Sequence, residues 1–287
     1  MDSPRLALRR LFRGAGALLA AMLLSGAAQA QGRLEARFVA TVAGIQVGQG
    51  AWVVDIGDDQ YDTAASGRVT GILRALASGD GQAAARGSLN GGRPVPTAFA
   101  AKVSTEDKSD DVRMSFAAGA VKEVVAEPPL SVTPDRLPVT EAHRRGVLDP
   151  MTAGLMPVAG SGDLLAPEAC QRTLAIFDGR MRFDLVLAFK RMDKGHAEKG
   201  YDGPVAVCGV TYQPVAGHRP GRYAIKYLQE ARDMEIWLAP VSGTRMLVPF
   251  RISLPTPIGT AVLQATQFVA VAQPRALPKA MSSSKTQ

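Results

Sequence analysis

The segment Cys170–Gly217, CQRTLAIFDGRMRFDLVLAFKRMDKGHAEKGYDGPVAVCGVTYQPVAG, does most to limit what this chain folds into. Phe183, Leu185, Leu187 and Phe189 alternate with Asp184, Val186, Ala188 and Lys190. Such alternation sets one face of a β-strand against a core and leaves the other face mixed. Asp178-Gly179 just before it is a turn pair, because glycine accepts the positive φ of tight turns. The charged, glycine-bearing run from Met192 to Asp202 predicts a solvated connection, and Pro204 to Tyr212 the returning strand. The segment is a hairpin, and it carries no catalytic signature.

The same rhythm recurs along the chain. Leu34 to Val42, Gln49 to Ile56, Tyr61 to Thr70, Gln82 to Leu89, Pro96 to Ser104, Asp111 to Phe116 and Val121 to Val125 read as short strands. Ala43-Gly44, Asn90-Gly91-Gly92 and Ala118-Gly119 punctuate them as turns. Gly71 to Ser78 fits helical spacing better, although it is short. Glu127 to Arg145 holds four prolines between Pro128 and Pro138, which remove ladder donors and mark a crossing segment. Asp149-Pro150 then starts a short helix over Met151 to Val158, with aspartate as cap and proline in the first turn. Beyond the central hairpin, Gly221 to Glu230, Asp233 to Pro240, Met246 to Leu254 and Ile258 to Ala272 are expected to be four further strands. The fold class that results is all-β and mainly antiparallel: a curved sheet, β-roll, spiral or half-open barrel with one or two short helices. One domain over 31–272, its two sheet-forming halves joined near 127–148, precedes a Pro-, Ser- and Lys-rich tail at 273–287 that is expected to be disordered.

Residues 1–30 have the three parts of a secretory signal peptide. Arg5, Arg9, Arg10 and Arg13 precede an apolar run from Ala15 to Leu24, and small residues end at Ala28-Gln29-Ala30. Cleavage is expected between Ala30 and Gln31. The apolar run is short of the roughly 20 residues a spanning helix needs. No later segment is apolar enough to span, so no transmembrane segment is expected after cleavage. With no cysteine beside the junction, lipid attachment there is excluded. Removal of the leader lowers the formal charge from +7 to +4. The remaining charges are interspersed, which argues against a nucleic-acid partner. In an exported chain the two cysteines, Cys170 and Cys208, default to a disulfide; two buried free thiols are the alternative, and no CxxC redox motif is present.

Candidate chemistry is sparse. His143, His196 and His218 each lie in an expected exposed loop, and no HExxH or paired CxxC supplies metal-ligand spacing. Gly160-Ser161-Gly162 lacks the spacing of a nucleophile elbow, and no phosphate-binding glycine loop occurs. Asp178, Asp184 and Asp202 cluster near the hairpin in sequence, where turn and surface roles are the ordinary ones. Arg180 and Arg182, two apart on one strand face, are either a solvated pair or a contact for an anionic headgroup. A large sheet with few helices to cover it suggests an enclosed apolar cavity, the alternative being a filled barrel core.

The runs CQRTLAIFDGRMRFDLVLAF and YDGPVAVCGVTYQPVAGHR, the Asp149-Pro150-Met151-Thr152 step, IWLAPV, VPFRI and Gly44-Ile45-Gln46-Val47-Gly48 resemble the exported bacterial family called domain of unknown function 3108, DUF3108. The resemblance covers roughly Leu34 to Ala272 and its motifs are structural. It implies a periplasmic, mostly antiparallel β protein with no settled biochemical role. In outline it is similar to periplasmic β-spirals tied to envelope integrity and to half-open barrels that carry lipoproteins, an analogy of architecture that does not fix function. The functional expectation is a monomeric, non-enzymatic periplasmic protein without cofactor. It would support the cell envelope by binding an apolar, lipid-like molecule or an envelope protein; the alternative is an envelope hydrolase with an unrecognised site.

Overall fold

Three two-residue turns set the rhythm of the N-terminal half. At Ala43-Gly44, Gly91-Gly92 and Ala118-Gly119 both residues take positive φ. That mirror-image turn geometry matches the twist of the strands it connects. The turns join β1 (Gln31–Val42) to β2 (Ile45–Ile56), β4 (Gly79–Asn90) to β5 (Arg93–Thr105), and β6 (Ser109–Ala117) to β7 (Ala120–Glu127). β3 (Gln60–Val69) lies between β2 and β4. The computed structural model describes residues 31–71, 79–130 and 133–273. The expected helix over Gly71 to Ser78, the signal peptide and the tail beyond Gln273 lie largely or wholly outside these.

Among the described residues of the proline-rich crossing there is one 3-10 turn, at Glu141–Arg144. The single-turn helix α1 (Pro150–Ala153), β8 (Met156–Pro157) and a 3-10 turn at Pro167–Cys170 follow. Next come β9 (Arg172–Phe177), β10 (Arg182–His196), β11 (Lys199–Gly200) and β12 (Asp202–Ala216). The chain ends through helix α2 (Tyr223–Glu230), β13 (Glu235–Pro240), β14 (Met246–Thr256) and β15 (Gly259–Gln273).

The fifteen strands among the described residues belong to one sheet, ordered β7-β6-β5-β4-β3-β2-β1-β15-β14-β13-β12-β10-β9, with β8 beside β14 and β11 beside β15. Pairing is antiparallel except for the two residues of β11 on β15. The first strand lies against the last, Gln31 opposite Gln273, so one continuous ladder joins the halves. The end strands β7 and β9 do not pair with each other. Arg145–Leu148 straps them instead, bridging Ala120 on β7 and Ile176 on β9. Its bonds are short: Gly146 N–H to Gly119 at 2.8 Å and Leu148 N–H to Ala175 at 2.8 Å. The sheet is a half-open barrel held round by a strap, and α1 touches both β3–β5 and β9 from within the curve.

Three apolar clusters fill this frame. Leu34, Val54, Tyr61, Val248, Phe250 and Phe268 form one, Leu174, Leu187, Leu238 and Leu247 with both cysteines a second, and Phe99, Met114, Phe116 and Phe177 a third. Cys170 and Cys208, both fully buried, are disulfide-bonded, tying the turn before β9 to the middle of β12.

Three sequence expectations give way. Gly221 to Glu230 is helix rather than strand: Tyr223 and Tyr227 stand four apart with rings 5.7 Å from each other, and Ile225, Tyr227 and Leu228 are half-buried. That pattern is helical, and alternation alone misread it. The charged run Met192 to Asp202 is mostly strand, because β10 and β12 continue pairing to His196 and Asp202. Its charges stand on an exposed ladder and pair there, Lys194 with Asp202 at 2.9 Å and Arg191 with Asp193 at 3.3 Å. The short helix begins at Asp149-Pro150 as read, but Gly154 ends it and Met156–Pro157 is already strand.

Candidate functional site

The inward-facing residues of β1 to β5 line up across the sheet. One row is Ala36, Trp52, Ala65, Ala83 and Ala101. The next row toward the rim is Phe38, Gly50, Gly67, Gly81 and Val103, so three adjacent strands present bare backbone. Glycine is required at Gly50, where a Cβ would come 2.8 Å from the Ser66 carbonyl oxygen. At Gly67 a Cβ would meet only the Gln49 oxygen at 3.8 Å, so this position opens onto free space. Missing side chains along an inner wall leave volume that the opposite wall must fill or leave empty.

It is left open. A cavity of about 430 Å³ lies over the Gly50 and Gly67 part of this wall, bounded by Phe38, Trp52, Met151, Pro249, Ile252 and Leu263. Its size is within the roughly 300–1,000 Å³ of small-molecule sites. Nearly all of its surface is apolar; Gln49, Ser66 and Arg68 are the polar residues of its lining. A second hollow, about 550 Å³, crosses the outer face of the sheet over Ala64, Ala84 and Ala100. That hollow is a shallow saddle on exposed alanines, whereas the inner cavity has walls from both halves of the chain.

The floor of the cavity is α1, and a buried polar chain fixes it. Asp149 caps the helix, one carboxylate oxygen accepting the N–H groups of Met151 and Thr152 at 2.9 Å each. The other oxygen accepts the Thr152 hydroxyl at 2.5 Å, and Thr152 Oγ1 lies 2.7 Å from the Tyr61 hydroxyl. Asp149 and Thr152 are wholly buried and Tyr61 nearly so. Burial pushes the Asp149 carboxyl above its ordinary range, against the pull of its hydrogen bonds, and pushes the Tyr61 phenol up as well. Tyr61 fits because Gly87 leaves room: a Cβ there would come 2.6 Å from the phenol oxygen. Above α1, Trp52 donates to Thr63 Oγ1 at 2.5 Å and rests against Gly154. These polar groups spend their hydrogen bonds on holding a helix under an apolar cavity.

The residues singled out from sequence fall elsewhere. His143 sits in the 3-10 turn, its Nδ1 accepting from Thr140 N at 3.1 Å. His196 ends β10, 3.6 Å from Asp202. His218 is buried rather than an exposed loop residue, because the Leu137 backbone pairs on both sides of it, and burial lowers its pKa. Ser161 is exposed in its loop. Asp178 caps the turn before β10, accepting from Arg180 N and Met181 N at 2.8 and 2.6 Å. Asp184 pairs with Arg182 at 2.7 Å, and Arg180 with Asp110 at 3.0 Å, so both arginines are engaged within the chain. Among the described residues no group of three His, Cys, Asp or Glu side chains is placed to hold a metal ion. No helix among them is long and apolar enough to cross a membrane. Gln31 opens β1, and Ala30 lies outside the described residues.

Sequence reading reached α1 through its cap but missed the cavity. The signal was present as Gly48, Gly50, Gly67 and Gly81; only the register reveals that three of them stand side by side.

A search of solved structures returns a crystal structure titled as a β-barrel-like protein of domain of unknown function DUF1849 from Brucella abortus. It is 11% identical, covers 85% of this chain and 98% of its own, and has a TM-score of 0.46. A comparison with curated proteins found no match. The family model described as "Protein of unknown function (DUF3108)" matches residues 37–266, most of the chain. The protein belongs to the DUF3108 family.

Proposed function

We propose that this is a non-enzymatic, exported β protein that supports the cell envelope by holding an apolar, lipid-like molecule in the cavity above α1. One observation carries the reading: the inward-facing Gly50 and Gly67, with Phe38, Trp52, Ile252 and Leu263 also in the lining, leave about 430 Å³ unfilled. A fold with no ligand to hold would gain by covering that apolar lining with side chains, since apolar surface left in water forgoes roughly 25 cal/mol per Å². The disulfide supports export, because such bonds persist in oxidising compartments. The hydrolase alternative has its nearest support in Asp149, Thr152 and Tyr61, but these are sealed from solvent and committed to the α1 cap.

The test is native mass spectrometry of the protein purified from the periplasm of an expressing cell, followed by organic extraction. A co-purifying apolar molecule, released by extraction in about one copy per chain, is expected. Protein that is uniformly of apo mass, and that takes up nothing when incubated with the extracted envelope lipids, would overturn the reading.

A further inference from the structure

A long stretch of this molecule carries no charge. Residues 38–54 and 252–273 together make 39 positions without Asp, Glu, Lys or Arg. At the chain's 21% charged content about eight would be expected. The two stretches are far apart in sequence but adjacent in space, since β2, β1, β15 and β14 are consecutive in the sheet. Their turns lie side by side, Ala43 N–H bonded to the Thr260 oxygen at 3.0 Å and the Ala43 methyl occupying the space a Cβ on Gly259 would need. From these two tips Ile45 and Ile258 project, 52% and 76% exposed. A few residues inward on the same strands, Ala40, Gly48 and Leu263 line the cavity.

We propose that this paired tip docks on a lipid bilayer, Ile45 and Ile258 entering the interfacial region, so that the cavity opens onto the membrane. Two uncharged prongs match a low-dielectric surface, where every ionised group would add a desolvation cost. Exposed large apolar side chains grouped on a rim mark interaction sites. Charge is not the attraction here, which separates this docking from recognition of anionic lipid. The purpose of docking rests on the carrier reading, but the contact itself does not.

The experiment is flotation of the full mature chain with phosphatidylcholine vesicles, with and without 20% phosphatidylglycerol, at low and high salt. The wild-type protein is expected to float with the zwitterionic vesicles and to be insensitive to salt. The double variant Ile45→Ser, Ile258→Ser should lose at least about tenfold in partitioning, as expected for removing two buried aliphatic side chains. Its circular dichroism and unfolding midpoint should be unchanged, because both positions are exposed. Gly67→Phe, which fills the cavity, should float like wild type, so failure of the carrier reading would leave this result standing. The proposal is overturned if the wild type does not float, or floats only with anionic lipid at low salt. It is also overturned if the double variant floats undiminished. Light scattering without vesicles that reveals a dimer dissolved by the double substitution would reassign the tip to a second copy of the chain.

Discussion

Replacing Asp149 by alanine is the sharpest way to ask whether the polar chain beneath the cavity holds α1 in place. The substitution removes a helix cap, typically about 1 kcal/mol. The Thr152 N–H is part of that cap; in addition one hydroxyl hydrogen of the buried Thr152–Tyr61 pair loses its acceptor, and a buried group left without a partner costs roughly 1–3 kcal/mol. Against this, the carboxylate is itself unfavourably buried, as its raised pKa indicates, and alanine relieves that cost. The net loss is about 2–4 kcal/mol, a large part of the roughly 5–15 kcal/mol that holds an ordinary domain together. Asp149→Asn behaves differently. Its amide oxygen still accepts the two backbone N–H groups and its amide nitrogen donates to Thr152 Oγ1, which then donates to Tyr61, so that only the Tyr61 O–H loses the acceptor it had in Thr152. That variant should cost about 1 kcal/mol, the low end of the range for one buried group left without a partner, and less than alanine. The sign with pH is fixed too. A carboxyl whose folded pKa is raised favours the fold while protonated, so its contribution is lost as pH rises from about 4, the unfolded value, through the folded pKa. The stability difference between the Asp149→Asn variant and the wild-type protein should therefore move in favour of the variant over that rise. Urea unfolding by circular dichroism across this range reads both effects. An alanine variant within about 0.5 kcal/mol of wild type, or an asparagine variant as unstable as alanine, would refute the role given to Asp149.

Three further outcomes follow from named contacts. Glu235 accepts from Arg191 at 2.8 and 3.2 Å and pairs with Lys190 at 2.8 Å, and the Arg191 bond foremost holds its carboxyl down to about 2. Its stabilisation is present above the unfolded pKa of about 4.5 and lost as pH falls toward 2, so the acid drop in unfolding temperature should be shallower in Glu235→Gln. Cys208→Ser opens a loop spanning 38 positions and should lower stability by up to about 4 kcal/mol, read by denaturant unfolding; two free thiols in the denatured, unreduced wild type would remove the basis of that figure. The tip substitutions at Ile45 and Ile258 should leave unfolding unchanged while abolishing vesicle flotation.

Strand spacing made most of this fold legible. The Ala43-Gly44, Gly91-Gly92 and Ala118-Gly119 turns fixed hairpin positions, and β13, β14 and β15 fall within two residues of the alternating runs that predicted them. Asp149-Pro150 announced a helix start because capping is a local interaction. What stayed hidden depends on pairing across distance. β11 on β15, the strap at Arg145–Leu148 and the glycine row each bring together residues far apart in the chain. Tyr223–Glu230 misled for another reason. Its apolar residues suit two periods over eight positions, and only packing on β12 decides for helix. His218 looked like a loop residue because its neighbours are Gly217 and Arg219; Leu137, which closes over it, is remote in sequence.

The cavity is the central claim, and Trp52 on its wall reports on it directly. In a Trp237→Phe background, Trp52 is the remaining tryptophan of the chain. Titration with a fatty acid brominated along its chain should quench its emission saturably at one probe per protein. Gly67→Phe, whose ring would enter the open space beside Gly50, should abolish the quenching while leaving the unfolding midpoint as high or higher, since phenylalanine favours strand and glycine does not. Quenching that never saturates, or that persists in Gly67→Phe, would contradict the account.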